Sequence, residues 1–371
     1  MKKLSKEDVQ CDSQVTWYIP LRLVINPKKP DRLRRVCDAS AKFMGQSLKD
    51  KIYTGSDLLS SLSGVFLWFC EGRIEMAADV KEIYHILRLP DRDKPELRFL
   101  WRDSLKEEPS VYQFERTVFG EVSSPSRANH TMRRNADENG EDLLLGVKAV
   151  YKNIYMDDGL PSTDSREEVE MRKQTTELLR RGGFRLHKCL RNDPDVLVTI
   201  PEQDRSPRFL EPSEDKLATD RTLGVIWNAQ EDMLQFTGLT DDPGTTQRKI
   251  LSQAFSVWDS RGLPFSIRSK IILQHLNRTK YGWHDELKEA DLREWRECCK
   301  EAENLDEVRI PRALPQEQKP VGETALHVFC DASQNPYGAC AYLRRAFLDD
   351  TVECCTAPQM IPHRKSSPDR K

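Results

Sequence analysis

No stretch of this sequence approaches the ~20 consecutive apolar residues that a bilayer-spanning helix needs, so no membrane span is expected. The first ten residues, Met1 to Gln10, are charged and lack the apolar centre of a secretory signal, which points to an intracellular chain. Ten cysteines are present, but no Cys-x-x-Cys occurs and none joins the seven histidines at zinc-finger spacing. Cys298-Cys299 and Cys354-Cys355 are adjacent pairs, which rarely bridge each other, so reduced and mostly buried thiols are expected. Neither sign of charge dominates. With 58 Lys and Arg against 60 Asp and Glu, the net charge of -2 excludes a global pull towards a polyanion. No internal repeat is visible.

What is present is a chain of 371 residues, 38% hydrophobic and 32% charged. That is too rich in large apolar residues for disorder and long enough for two or three units of ordinary domain size. The charge is unevenly spread. Leu21 to Lys51 holds nine basic and three acidic residues, and Arg180 to Arg191 holds five basic residues and no acid. Such local stripes suit a cleft that grips nucleic acid, and they suit solvated faces equally well.

Residues 1–14 read as a polar lead-in. Val15 to Val24 is β-prone and runs into the turn Asn26-Pro27-Lys28-Lys29-Pro30. Ser56 to Cys70 has helical periodicity, and Ile74, Met76 and Ala78 alternate along a strand ending near Asp79. Val80 to Leu89 can then turn into a helix. Leu143 to Tyr155 reads as a strand leading to Asp157-Asp158-Gly159, a hairpin signal. Arg166 to Arg181 is a helix stopped by Gly182-Gly183. Leu223 to Trp227 looks like a strand, while Thr245 to Gln274 and Glu286 to Leu305 are mainly helical. A polar linker, Gln316 to Gly322, precedes an apolar strand, Ala325 to Cys330, and the last twenty residues have little pattern. The hairpin implies antiparallel pairing. The expected class is therefore α+β with a helical appendix, not a doubly wound sheet.

The chemistry gathers at Tyr155-Met156-Asp157-Asp158. Two adjacent carboxylates at a hairpin tip repel each other, and a divalent cation reverses that cost. Magnesium takes oxygen ligands, commonly one or two carboxylates completed by substrate phosphates. Asp79, at the end of another strand, supplies the further carboxylate. Taken singly, Asp-Asp-Gly reads as an ordinary turn and Asp79 as a helix cap.

Five segments in fixed order resemble the reverse-transcriptase family: Ala78-Asp79-Val80 with Tyr84; Phe119-Gly120 with Ser123-Ser124-Pro125-Ser126-Arg127-Ala128; Tyr155-Met156-Asp157-Asp158; Gly182-Gly183-Phe184-Arg185-Leu186-His187-Lys188; and Leu223-Gly224-Val225-Ile226-Trp227. Trp17-Tyr18-Ile19-Pro20, Arg34-Arg35-Val36-Cys37-Asp38-Ala39-Ser40, Arg98-Phe99-Leu100-Trp101-Arg102 and Gly262-Leu263-Pro264 before Lys270 are similar to the BEL/Pao group of LTR retrotransposons. The resemblance covers roughly residues 16–345.

It implies a right-hand polymerase with fingers and an antiparallel palm at 15–240, and a helical thumb or connection at 241–315. A linker at 316–322, a truncated RNase H-like start at 323–346 and an unpatterned tail at 347–371 would follow. The implied activity is RNA-directed DNA polymerisation with two Mg2+ ions, Mn2+ able to substitute. Template, primer and dNTP would be the partners, with no membrane and no oligomeric state specified.

Asp79, Asp157 and Asp158 would bind metal, assisted by the Val80 carbonyl, and Lys188 would protonate the leaving pyrophosphate. Arg34 would hold the triphosphate, and Tyr84 would exclude a 2′-hydroxyl or serve as a core aromatic. Gly120, Ser124, Pro125, Tyr155 and Met156 would line the substrate. Gly224 and Trp227 would hold the primer, with strand packing the alternative for Trp227. Asp331 would be a first RNase H ligand in a domain expected to be inactive.

The sequence departs from the family in two places. Leu21-Arg22 stand where the family commonly has two histidines, and Cys189 follows Lys188 where a tryptophan is usual. These departures suit a catalytically silent retroelement remnant that only binds nucleic acid.

Overall fold

The computed structural model describes residues 1–10, 16–26, 29–72, 74–160, 162–163, 167–192, 201–206, 219–222, 225–236, 244–257, 264–313, 325–332, 336–346 and 352–362. Strands β1 (Leu21–Asn26) and β2 (Lys29–Cys37) form an antiparallel hairpin with Val24 opposite Arg34. Helix α1 (Leu62–Phe69), strand β3 (Ile74–Val80) and the short helix α2 (Ile83–Ile86) follow. A second hairpin, β4 (Arg98–Trp101) with β5 (Ser110–Gln113), takes Lys2–Lys3 as a third strand. Ile19, Cys37, Ala39, Leu89, Leu97, Phe99 and Val118 form one core beneath these hairpins.

The middle of the chain is helix α3 (Ser124–Asn139), helix α4 (Leu144–Lys152), strands β6 (Ile154–Tyr155), β7 (Asp158–Gly159) and β8 (Ser162–Thr163), helix α5 (Glu167–Arg181) and strand β9 (Leu186–Arg191). Strand β3 is the axis of this region. It pairs with β7 and β8 on one side and β9 on the other, all antiparallel. Alternate β3 residues serve opposite faces, as the two-residue period of a strand requires. Met76, Ala78 and Val80 pack against α3, α4 and α5 through Met132, Val150 and Leu178, whereas Ala77 joins Phe66, Phe69, Leu190 and Trp227 on the other face. Asp79 has the parity of Ala77 but lies at the strand's end, beyond that core, with its side chain 28% exposed.

That second face carries an antiparallel sheet of β10 (Thr219–Thr222), β11 (Val225–Asn228) and β12 (Met233–Gln235), closed by a later strand, β13 (Arg309–Pro311). Between β12 and β13, helices α6 (Gln247–Ala254), α7 (Pro264–Arg278) and α8 (Glu289–Lys300) enclose their own core of Ile250, Ile272, Leu276, Leu292, Trp295 and Cys298. Finally β14 (Ala325–Ala332), β15 (Pro336–Ala346) and β16 (Val352–Pro362) make a three-stranded antiparallel sheet. Among the described residues no helix is long and apolar enough to cross a membrane.

Two expectations are corrected. Residues 143–155 are mainly helix α4, not a strand. Leu143, Gly146, Ala149 and Val150 form a buried helical stripe, and Gly146 lies so close to α5 that a Cβ would sit 2.8 Å from the Gln174 backbone. Close helix packing on a small residue therefore outweighs the β propensity of the valines. The tail expected to be unpatterned contributes β16, whose whole length pairs with β15 from Val352↔Ala346 to Pro362↔Pro336. Its strand is specified by the partner's open edge more than by any alternation of its own.

Candidate active site

The turn between β6 and β7 brings the carboxylates together. Asp158 pairs with Tyr155, leaving Met156 and Asp157 as a two-residue loop with Met156 at φ 57°. A left-handed residue is what a tight hairpin of this kind requires. On its other side Asp158 pairs directly with Asp79, and the Val80 amide donates to the Asp157 carbonyl at 2.7 Å. Three acidic residues thus lie at one end of the sheet, Asp79 and Asp158 held by ladder register and Asp157 in the tight turn beside them. Burial, reinforced by the negative charge of Asp79, pushes the Asp157 carboxyl up from its ordinary range, against the pull of Lys188 and His187.

Strand β9 completes the site. His187 stands opposite Asp79, its Nδ1 2.9 Å from the Asp79 carbonyl oxygen and 3.5 Å from Oδ1. Lys188 donates from Nζ to Asp79 Oδ2 at 2.5 Å. The ladder register shifts between His187 and Leu190, so the Lys188 side chain is aimed by a bulge. Among the described residues no group of three or more His, Cys, Asp or Glu side chains converges closely enough to hold a metal.

Tyr84 is buried beside this cluster. Its ring meets Phe119 edge-on at 4.7 Å, and its hydroxyl is pushed up by burial first and by the Asp157 charge second. Phe119 is half exposed and also contacts His85. The following Gly120 has φ 96°, and a Cβ there would lie 2.4 Å from the Cys37 carbonyl oxygen. The structure thus supplies a packing reason for the glycine, the approach of the 120 loop to β2. Gly120→Ala is expected to cost about 1–3 kcal/mol in strain and displacement, visible as a lower urea midpoint at unchanged slope.

Glu121, buried, accepts from Ser123 Oγ at 2.7 Å and pairs with Arg127 at 3.1 Å, which fixes the same loop. Ser124 Oγ donates to the Val118 carbonyl at 2.7 Å, and Pro125 opens α3. Both residues therefore shape the loop from within.

Arg34 lies on β2 opposite Val24; its side chain, like Gly224, is outside the described residues, and only the backbone of Asp331 in β14 is described. Trp227 packs inside the second core. It is fully buried, edge-on to Phe69 at 5.2 Å, with Nε1 donating to Asp232 at 2.9 Å. An indole at a strand centre with a satisfied N–H is a packing element.

Two features escaped the sequence reading. His187 carries no signal of its own beyond its place beside Lys188, although its position facing Asp79 follows from antiparallel pairing. Arg312 had no signal at all. It is fully buried, donates to both Asp232 oxygens at 2.6 and 2.8 Å and to the Phe69 and Gly72 carbonyls, and lies 3.9 Å from buried Glu75 of β3.

Comparisons with known proteins bear on this geometry. Residues 246–357 match the family model described as the Pao retrotransposon-like RNaseH-like domain. The matched stretch begins at Thr246, the N-cap of α6, inside the part expected to be thumb or connection, and reaches into β16. Among solved structures, the foamy viral protease-reverse transcriptase in complex with RNA/DNA hybrid shares the fold, at TM-score 0.52 and 14% identity. The alignment covers 94% of this chain and 40% of that one, so the chain spans about two fifths of that protein's length. A search of curated proteins returns no match. The first likeness is to a retrotransposon domain over part of the chain, and the second is a likeness of fold.

Proposed function

We propose that this chain carries the fingers and palm of a retroelement reverse transcriptase of the BEL/Pao type, within residues 15–240, followed by a helical region and an RNase H-like start. The observation that carries the reading is the direct register of Asp79 with Asp158, with Asp157 in the adjoining turn. Carboxylates on neighbouring strand ends are a donor set for a hard cation, and magnesium needs only one or two of them when substrate phosphates complete its shell. The residues therefore fit a divalent metal although no three of them form a ready cage.

Asp79 and Asp157 would hold it, with Asp158 adjoining. When bound, the metal supplies activation of the primer 3′-hydroxyl and charge stabilisation for the leaving pyrophosphate. Tyr84, braced by Phe119, walls the site beside Asp157 and would exclude a ribose 2′-hydroxyl. His187 holds the Asp79 backbone, and Lys188 would serve the triphosphate side. Arg34 would reach the triphosphate from the β1–β2 hairpin. The 120–127 loop and the Tyr155-Met156 turn would line the template–primer. Template RNA or DNA, a primer and dNTP are the partners in this reading.

A second reading, a silent remnant that binds nucleic acid, is favoured by one observation: Asp79 is already engaged by Lys188. Extension of an oligo(dT) primer on poly(rA) separates the two. The polymerase reading expects lengthening that requires Mg2+ or Mn2+ and stops with chelator. A cooperatively folded chain that binds the duplex and extends nothing assigns it to the second.

A further inference from the structure

The ammonium of Lys188 sits on the carboxylate that the polymerase reading gives to metal, and its placement is built into β9. Leu186 and Leu190 are buried on either side, Cys189 is buried next to it, and the register slips between them so that Lys188, next to His187, is turned outward over Asp79. The slip costs backbone strain, since Lys188 has φ 52°, a region that favours glycine. Such strain beside an active site invites a functional explanation, and a surface lysine needs no such backbone. His187 meanwhile holds the Asp79 carbonyl, so the main chain of Asp79 is fixed while its carboxylate is shared.

We infer that Lys188 is an internal counter-cation that closes the Asp79 carboxylate until a divalent ion displaces it, which releases the ammonium towards the incoming polyphosphate. The inference rests on the polymerase reading of the site. In the metal-free chain Lys188 offsets the repulsion between Asp79 and Asp157. The arriving cation takes over that task, and the freed lysine stays beside the site, where new negative charge arrives with the nucleotide. Ion and lysine therefore compete for one carboxylate, and removing the lysine tightens the ion.

The test is Mn2+ titration of the whole chain without nucleotide, read as the rise in thermal midpoint. Wild type is compared with Lys188→Gly, which suits the left-handed backbone, with Lys188→Arg, which keeps the charge, and with Asp79→Asn. The expected result is a half-saturating Mn2+ concentration at least about five-fold lower in Lys188→Gly, the equivalent of one exposed ion pair of about 1 kcal/mol. Lys188→Arg should stay near wild type, and the shift should vanish in Asp79→Asn. Equal or weaker binding by Lys188→Gly overturns the inference and leaves the metal site standing. A wild-type shift that appears only when primer–template and dNTP are added overturns the inference alone, and one that is absent even then, or that survives Asp79→Asn, overturns it together with the metal-binding reading.

Discussion

Arg312→Met is expected to destabilise the chain by about 3–5 kcal/mol, a large share of the roughly 5–15 kcal/mol that holds a domain folded. The guanidinium is the only group described between two carboxylates and two carbonyls. It binds Asp232 through two nitrogens and the carbonyls of Phe69 and Gly72, and it lies against the rings of Phe69 and Trp227 at 5.3 and 5.8 Å. Glu75 is fully buried 3.9 Å away, on the same strand as Asp79. Methionine fills much of the volume but loses the bonds to Asp232, Phe69 and Gly72 together with the positive charge 3.9 Å from Glu75.

Arg312→Lys should recover only part of the loss, because a single ammonium cannot reproduce the fork. Glu75→Gln in the Arg312→Met background should recover more, since it removes a fully buried charge from beside the lost guanidinium. The measurement is a urea melt followed by tryptophan fluorescence, to which buried Trp227 contributes, with the coupling energy read from the double-mutant cycle. Single-mutant costs that simply add would contradict this account of the network.

Asp157→Asn should lower incorporation about 10³-fold, the equivalent of about 4 kcal/mol of lost charge stabilisation in the transition state. The same change should raise the melting temperature of the metal-free chain at neutral pH. The sign follows from the direction of the shift. Burial and Asp79 raise the Asp157 carboxyl above its ordinary value of 3.8, so the folded chain binds that proton more tightly than the unfolded chain. The stability it contributes is present in acid and is lost as pH rises from 3.8 through the raised folded value. Near neutrality the carboxylate is a net cost that asparagine removes, at the expense of chemistry. Pairwise melts at pH 7 and pH 4 check this, with the difference between the two proteins shrinking at the lower pH.

Much of this was legible in the sequence. Alternation along Ile74, Met76 and Ala78 marked β3, and a carboxylate-glycine step after β-prone residues marked the turn at Met156 and Asp157. The paired glycines stopped α5 where expected, and two-residue periodicity placed Asp79 at a strand end. What stayed hidden depends on contacts rather than on pattern. Residues 143–155 read as a strand until the approach of Gly146 to α5 is seen. Strand β16 takes its identity from β15. Arg312 and its partners Phe69 and Gly72 are separated by some 240 residues, so no local signal could join them. The Lys188 contact arises from a bulge that composition does not announce. Trp227 had two readings, and burial decided for packing.

The measurement that reaches the central claim most directly is Mn2+ uptake, by electron paramagnetic resonance, in a complex of the chain with a dideoxy-terminated primer, an RNA template and the matching dNTP. The carboxylate assignment predicts protein-dependent Mn2+ binding by the wild type that is lost in Asp79→Asn and in Asp157→Asn, each still folded. Equal uptake by the variants, or none by a wild type that holds the duplex, would contradict it.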